Sequence, residues 1–292
     1  MRDEVGLGFA LQDVHTVLVT HSHPDHFGSA GRLADEAEAD LVTHSAFRLW
    51  WTEDPNDPCE QVHDVDPEDL PTSNPWDTNR TPWGAPRHMM MGPRPEYFSG
   101  TTFRTPSPTV RLKDGDRLVL GDREWWAVHT PGHTLDHLCL YDAEEGTFLS
   151  GDHVLPQITP HISGIAAGRD PLGTFVSSLD KVAGLPGARR VLPAHGLEFD
   201  DLAGRVESIK HHHAERLDKV ISIGLASGPS RVEAFTRELF RPAVWGPMAD
   251  SETYAHLEHL RAVGMVERTE DSEGHAIYRI VEKERPQLGA DR

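Results

Sequence analysis

The segment LVTHSHPDHFGSAG, residues 18–31, gathers four side chains of the kind that bind metals: His21, His23, Asp25 and His26. Imidazole and carboxylate are, with thiolate, the usual zinc donors, and four-coordinate sites are preferred. His21 and His23 flank a single residue, and in an extended segment such side chains point the same way. That pair can grip one ion. Pro24 then bends the chain, which turns Asp25 and His26 toward a second. Three more donors each follow an apolar run: His133 in HTPGH, Asp152 in FLSGD and His195 in VLPAH. The chemistry open to such a set is metal binding and reactions assisted by metals.

The elements around these donors are short and alternate in type. HTVLVT (15–20) and LVTH (41–44) read as buried strands, and SAGRLADEAEA (29–39) as a helix with Ser29 at its N-cap. The histidine cluster therefore falls in a loop between a strand and a helix. In open α/β sheets, sites are built in loops at the carboxyl ends of strands. Strand signals recur at 109–112, 117–120, 124–129, 137–142 and 147–152, with Gly/Asp turns between them that predict hairpins. PLGTFVSSLDKVAGL (171–185) reads as an amphipathic helix, and ARRVLPAHG (188–196) holds a last buried strand. Residues 1–200 thus form a layered α/β pattern.

From about residue 201, helix signals dominate. A long helix, two shorter ones (the last with Ser251 as its expected N-cap) and a hairpin around Gly274 predict a small winged-helix unit. The expected division is a first domain over 1–203 and a second over 204–292. Charge supports it: residues 205–292 hold 13 Lys+Arg against 15 Asp+Glu, leaving 15 against 32 in residues 1–204. His211, His212 and His213 sit on consecutive positions of the long helix and cannot face one metal, so they read as mostly solvated.

Residues 53–100 are rich in Pro, Asp and Asn and show no period. A loop of that length is usually functional or disordered. Its Trp76, Trp83, Met89–Met91 and Tyr97 either line an apolar pocket or pin the segment to its own domain.

Composition sets outer bounds. The net charge of −19 opposes charge-driven binding to nucleic acid or anionic membranes. No segment approaches the roughly 20 apolar residues of a membrane helix, and the start MRDEVGLGFALQDV does not look like a secretory signal. Cys59 and Cys139 read as reduced thiols, so a cytoplasmic location is expected.

Taken together, the T-H-S-H-P-D-H block, His133 in T-P-G-H, Asp152 in S-G-D and His195 in P-A-H-G resemble the metallo-β-lactamase-fold hydrolase superfamily, over about residues 10–200. The resemblance implies an αββα sandwich. It also implies one metal on His21, His23 and His133, a second on Asp25, His26 and His195, and Asp152 bridging the two. The cofactors would be two Zn2+, with Mn2+ or Fe also fitting these donors. Two cations on one water lower its pKa toward neutrality, giving a bridging hydroxide as nucleophile. Asp25 and Asp152 are the expected catalytic residues, with Asp25 orienting the nucleophile. His129, His137, His153 and His161 read as supporting or structural; His137 or His161 could instead line the substrate site. Tyr97 and Arg169 are candidate substrate contacts.

Relatives in this superfamily usually carry a longer segment ahead of the histidine block, with a D-T-G turn. This chain has no such turn there, so the sandwich is expected to lack its first strands. An open sheet edge would favour association, hence a homo-oligomer. The C-terminal winged helix is similar to that of the β-lactamase-like protein 2 group, which includes endoribonucleases and acyl-carrier thioesterases. The leading expectation is hydrolysis of a small-molecule ester or thioester, with 53–100 covering an apolar acyl group. The alternatives are a lactonase, a metal-dependent endoribonuclease, or a non-catalytic winged-helix binding protein. The acidic balance counts against nucleic acid. So does the third tail helix, which carries Glu252 and Glu258 against only Arg261.

Overall fold

Apolar residues on the central strands are divided between two faces, and that division builds the layers. In a computed structural model, which describes residues 10–49, 81–85, 106–164 and 168–281, Leu138 and Leu140 point to one side of their strand while Cys139 and Tyr141 point to the other. Each side meets a separate core. A strand covered on both faces reads as one continuous apolar run, as LCLYD does.

The first layer comprises two helices, α1 (Pro24–Phe27) and α2 (Ala30–Ala37). They pack on a parallel sheet of β1 (Thr16–Leu18), β2 (Asp40–His44) and β3 (Val110–Leu112), in the order β1-β2-β3. Val17, Val19, Phe27, Ala30, Ala34 and Leu41 form the core between them. The second sheet runs in chain order through β4 (Arg117–Leu120), β5 (Arg123–His129), β6 (Leu138–Asp142), β7 (Thr147–Gly151) and β8 (Arg190–Pro193). Its pairs are antiparallel except β7 with β8, which are parallel because helix α3 (Pro171–Ala183) crosses between them. Val42, Leu112, Trp125, Ala127, Leu138 and Leu140 fill the space between the sheets. The arrangement is helix, sheet, sheet, helix, as expected, although the parallel β7–β8 pair was not evident from hairpin signals.

The C-terminal part runs α4 (Leu202–Ser227), β9 (Ser230–Arg231), α5 (Val232–Leu239), α6 (Pro247–Ala262), β10 (Val266–Glu270) and β11 (Ala276–Ile280). The expected hairpin is present, and β9 pairs on the outer side of β11 to make a three-stranded sheet. Leu202, Val206 and Ile209 of α4 share one continuous core with Phe175, Val176 and Leu179 of α3 and with Tyr254 and Ala255 of α6. The C-terminal elements are therefore docked against the second sheet's helix layer.

Three expectations change here. Ser251 is not the N-cap of α6: the helix starts at Pro247, with Gly246 at the cap, and Ser251 lies buried inside it. Proline is favoured in the first turn, where its missing N–H costs nothing, and that moves the start upstream. His213 is not solvated. It is fully buried between α4 and α6, whereas His211 is exposed. Trp83 is buried and packs on Tyr254, with ring centroids 5.1 Å apart, while the Trp83 carbonyl accepts the Ala276 N–H at 3.0 Å. It thus pins residues 81–85 to the C-terminal part. Trp76, Met89–Met91, Tyr97 and Cys59 lie outside the described residues, as do residues 1–9. Cys139 is buried and unbridged.

The buried His213 and His256 make the fold sensitive to acid. His256 donates from Nδ1 to the Glu252 carbonyl at 2.7 Å, so its Nε2 accepts from His213 Nδ1 at 3.1 Å. Burial depresses both imidazoles, His256 to about 4, with Glu252 opposing the shift and His213, Arg216 and His259 nearby. Both are neutral when folded, but take up protons when unfolded below about pH 6.5. The unfolded chain binds more protons between about pH 6.5 and 4, so stability must fall as pH drops through that window. Urea unfolding should show this loss, on the order of 2 kcal/mol from His256 alone. His256→Gln should flatten the slope, and an unchanged slope in that variant would contradict the assignment.

Candidate metal centre

The local structure of the opening motif follows from Pro24. It occupies the first turn of α1, with His23 at the N-cap in an extended conformation (φ −89°, ψ 143°). A residue before proline is driven toward that region, so His21 and His23 stay on one extended stretch. Asp25 and His26 are carried round on the helical turn. The Thr20 carbonyl accepts the Leu138 N–H at 2.8 Å, which ties the motif to β6 of the second sheet.

Two groups of donors result, joined by a third that combines His21, His26 and Asp152. In the first, His21, His23 and His133 place one nitrogen each within 4.8 Å of one another. His21 Nε2 and His133 Nε2 both lie 3.0 Å from His23 Nδ1. His133 Nδ1 is 2.6 Å from the His161 carbonyl, which can only accept. That fixes the proton on Nδ1 and leaves Nε2 as a bare lone pair facing the other rings. Burial lowers the pKa of all three rings, His23 to about 4 and His133 to about 3, so they are neutral donors at pH 7. The second group is Asp25, His26 and His195. His26 Nε2 and His195 Nε2 lie 3.5 and 3.4 Å from Asp25 Oδ2.

Asp152 stands between the groups. Its Oδ2 is 3.7 Å from His133 Nε2 and 3.4 Å from His26 Nε2, and its Oδ1 is 3.5 Å from His195 Nε2. Burial would raise the Asp152 carboxyl, but His26, His133 and His195 outweigh it and hold the group below its usual range. Asp152, in turn, raises the His26 imidazole against the effect of burial. Yet His26 Nε2 and Asp152 Oδ1 are buried with no hydrogen-bond partner. Buried polar atoms are normally satisfied. Convergent lone pairs and two unsatisfied atoms around shared centres fit divalent cations and fit little else.

The seven expected donors are thus brought together from four chain segments. Asp25 and His195 lie toward solvent, while His21, His133 and Asp152 are buried. Among the described residues, His129, His137 and His153 stand in none of the groups of converging donors. His129 stacks on His44 at 3.8 Å and bonds the Leu135 carbonyl, and His153 packs edge-on to Phe175. Arg169 is exposed, and Tyr97 lies outside the described residues.

His137 does specific work. Its Nε2 accepts the Asp152 N–H at 3.0 Å, so its Nδ1–H donates to Thr130 Oγ1 at 2.7 Å. Gly151, at φ +51°, lets this ring approach: a Cβ there would sit 2.7 Å from His137 Nε2. Sequence reasoning also missed Ser22, whose hydroxyl donates to Asp136 Oδ1 at 3.0 Å and joins the two ligand loops. Burial pushes the Asp136 carboxyl up to about 6. Neither Thr130 nor Asp136 carries a metal-donor spacing that could have singled it out.

Known proteins resemble this chain in sequence and in fold. The chain is 35% identical over 111 residues to the lactamase-like protein vrtG of Penicillium aethiopicum, and 32% identical over 113 residues to the atrochrysone carboxyl ACP thioesterase dmxR1 of a Cryptosporiopsis species. Each match covers 38% of this chain; it spans 34% of the first relative and 33% of the second. The metallo-beta-lactamase family protein TTHA1429 of Thermus thermophilus superposes over 94% of this chain and 82% of its own, with 29% identity and a TM-score of 0.70. A beta-lactamase domain protein of Burkholderia ambifaria does so over 91% and 74%, with 25% identity and a TM-score of 0.65. The family model that matches residues 2–195 is the metallo-beta-lactamase superfamily, and to that family the chain belongs.

Proposed function

We propose that this chain is a dinuclear metal-dependent hydrolase of esters or thioesters, with His21, His23 and His133 as ligands of one ion, Asp25, His26 and His195 of the other, and Asp152 shared. The observation that carries the reading is the Asp152 carboxylate, whose two oxygens face different donors within 3.7 Å. Zn2+ is the expected occupant, and Mn2+ or Fe suits the same nitrogen and oxygen donors. Bound by these residues, two such cations would supply Lewis acidity, lowering the pKa of a bound water toward neutrality and polarising a scissile carbonyl.

The chain's own residues supply orientation. Asp25, 61% exposed, stands on the open side of the site, where it can accept a hydrogen bond from the incoming water. His137 holds the Asp152 backbone, and the His161 carbonyl holds His133. Cys139 is no competing nucleophile: burial pushes its thiol up to about 12, and only the thiolate attacks.

An acyl thioester is favoured over other substrates on two grounds. One matched relative is named an acyl-carrier thioesterase. In addition, Ile158 and Leu197 are 62% and 82% exposed, Leu197 two residues beyond His195. Their loops touch, since a Cβ at Gly196 would meet Pro156 Cγ at 2.7 Å. We read the two side chains as an apolar lip on which an acyl chain can lie. The order helix, strand, two helices and hairpin supports reading residues 204–292 as a winged-helix unit. Its α6, the helix such units place in a DNA groove, is largely buried, packed on α4, α5 and β10 of its own part and on α3 of the hydrolase part. That counts against nucleic acid and for a packing role.

Assay of a purified, metal-loaded chain on an acyl thioester, a lactone, a phosphodiester and a β-lactam should give fastest turnover of the thioester. Chelation should abolish turnover and metal should restore it. Asp152→Ala should lower kcat/KM at least 100-fold; near-normal activity in that variant would sink the shared-ligand reading. Ile158→Ser with Leu197→Ser should raise KM about tenfold for a long acyl chain and little for acetyl, because about 1.4 kcal/mol of apolar contact is lost. Equal effects on both substrates would remove the lip from the account.

A further inference from the structure

Helix α6 reaches the metal centre through one loop. Glu252 Oε2 is 3.3 Å from His161 Nδ1, and Glu252 Oε1 is 3.1 Å from an Arg216 nitrogen of α4. The next residue along the helix toward its start, Ser251, accepts the Gly164 N–H at 3.0 Å. These contacts hold residues 161–164 on the helix from both ends. The His161 carbonyl then accepts the His133 Nδ1–H at 2.6 Å, the hydrogen bond that aims His133 Nε2 at His23 and Asp152. Farther along α6, His259 bonds Asp170 at 3.0 Å, in the same interface but off this line of contacts.

We propose that Glu252 is a positioning residue for the metal centre: by fixing His161, it holds the carbonyl that orients His133, so the C-terminal unit is a working part of the site. This rests on the metal assignment above. Glu252 and His161 supply no ligand themselves. The ring of His161 is the handle and its carbonyl is the tool. Partners that orient a ligating histidine typically govern 10–100-fold of metal affinity or activity. Arg216 makes the arrangement stiff, because it engages the second oxygen of Glu252 and also lies 4.4 Å over the Phe240 ring.

The test is metal affinity, measured by competition with a chromophoric chelator, and the visible absorption of the Co2+-substituted full-length chain. Glu252→Ala and His161→Ala should each weaken binding of one of the two ions about tenfold and alter the Co2+ bands. The double variant should be no weaker than either single one, because both act through the same link. Glu252→Gln, whose amide oxygen still accepts from His161, should recover affinity to within about threefold. His259→Gln should lower thermal stability and leave affinity and bands unchanged. If Glu252→Ala fails to fold, His161→Ala and Glu252→Gln carry the same readout. Wild-type affinity and bands in His161→Ala or Glu252→Ala would overturn the proposal, as would additive losses in the double variant or an equal metal defect in His259→Gln. A wild-type chain that takes up no metal would instead overturn the functional reading.

Discussion

The Asp152 carboxylate is the constraint around which the molecule is arranged. It leaves the end of β7 with one oxygen toward His195 and the other toward His26 and His133. Burial disfavours a carboxylate's charged form, and here the imidazoles of His26, His133 and His195 outweigh that cost. The surrounding fold makes that charge possible. Each donor other than Asp25 and His26 sits just beyond a strand, and those two are delivered by a single helical turn set off by Pro24. The layers are stable because the strands bury both faces, which leaves their ends free to carry polar groups.

Support for the donors comes from further away in the sequence. Thr130, His137 and the Asp152 backbone form one chain of hydrogen bonds through the interior. Ser22 and Asp136 close a second link between the loops carrying His21 and His133. The third link, through His161 and Glu252, crosses into the C-terminal elements. A ligand held by a rigid partner loses less freedom on binding an ion. On this account the C-terminal elements are a buttress of the centre. Their shared core with α3 makes separate motion of the two parts costly.

Most of the site was legible because histidine and aspartate after short apolar runs are distinctive, and because i and i+2 positions share a face. The strands were legible to within a residue or two for the same reason: apolar runs bounded by Gly and Asp turns leave little choice. What stayed hidden depends on packing between distant segments. Nothing in the run of three histidines distinguishes His213, which α4 buries against His256, from His211, which it leaves in water. Ser251 has the composition of a cap, yet it satisfies the N–H of Gly164, 87 positions earlier. Trp83 and Glu252 likewise gain their roles only from the docking of the C-terminal elements, which no local period encodes.

The most direct test of the central claim is anomalous X-ray diffraction at the zinc edge from crystals of the metal-loaded chain. Two peaks are predicted, one within the His21, His23 and His133 group and one within the Asp25, His26 and His195 group, each in contact with a different oxygen of Asp152. A single peak, or two peaks with Asp152 bound to only one of them, would contradict the shared-carboxylate centre.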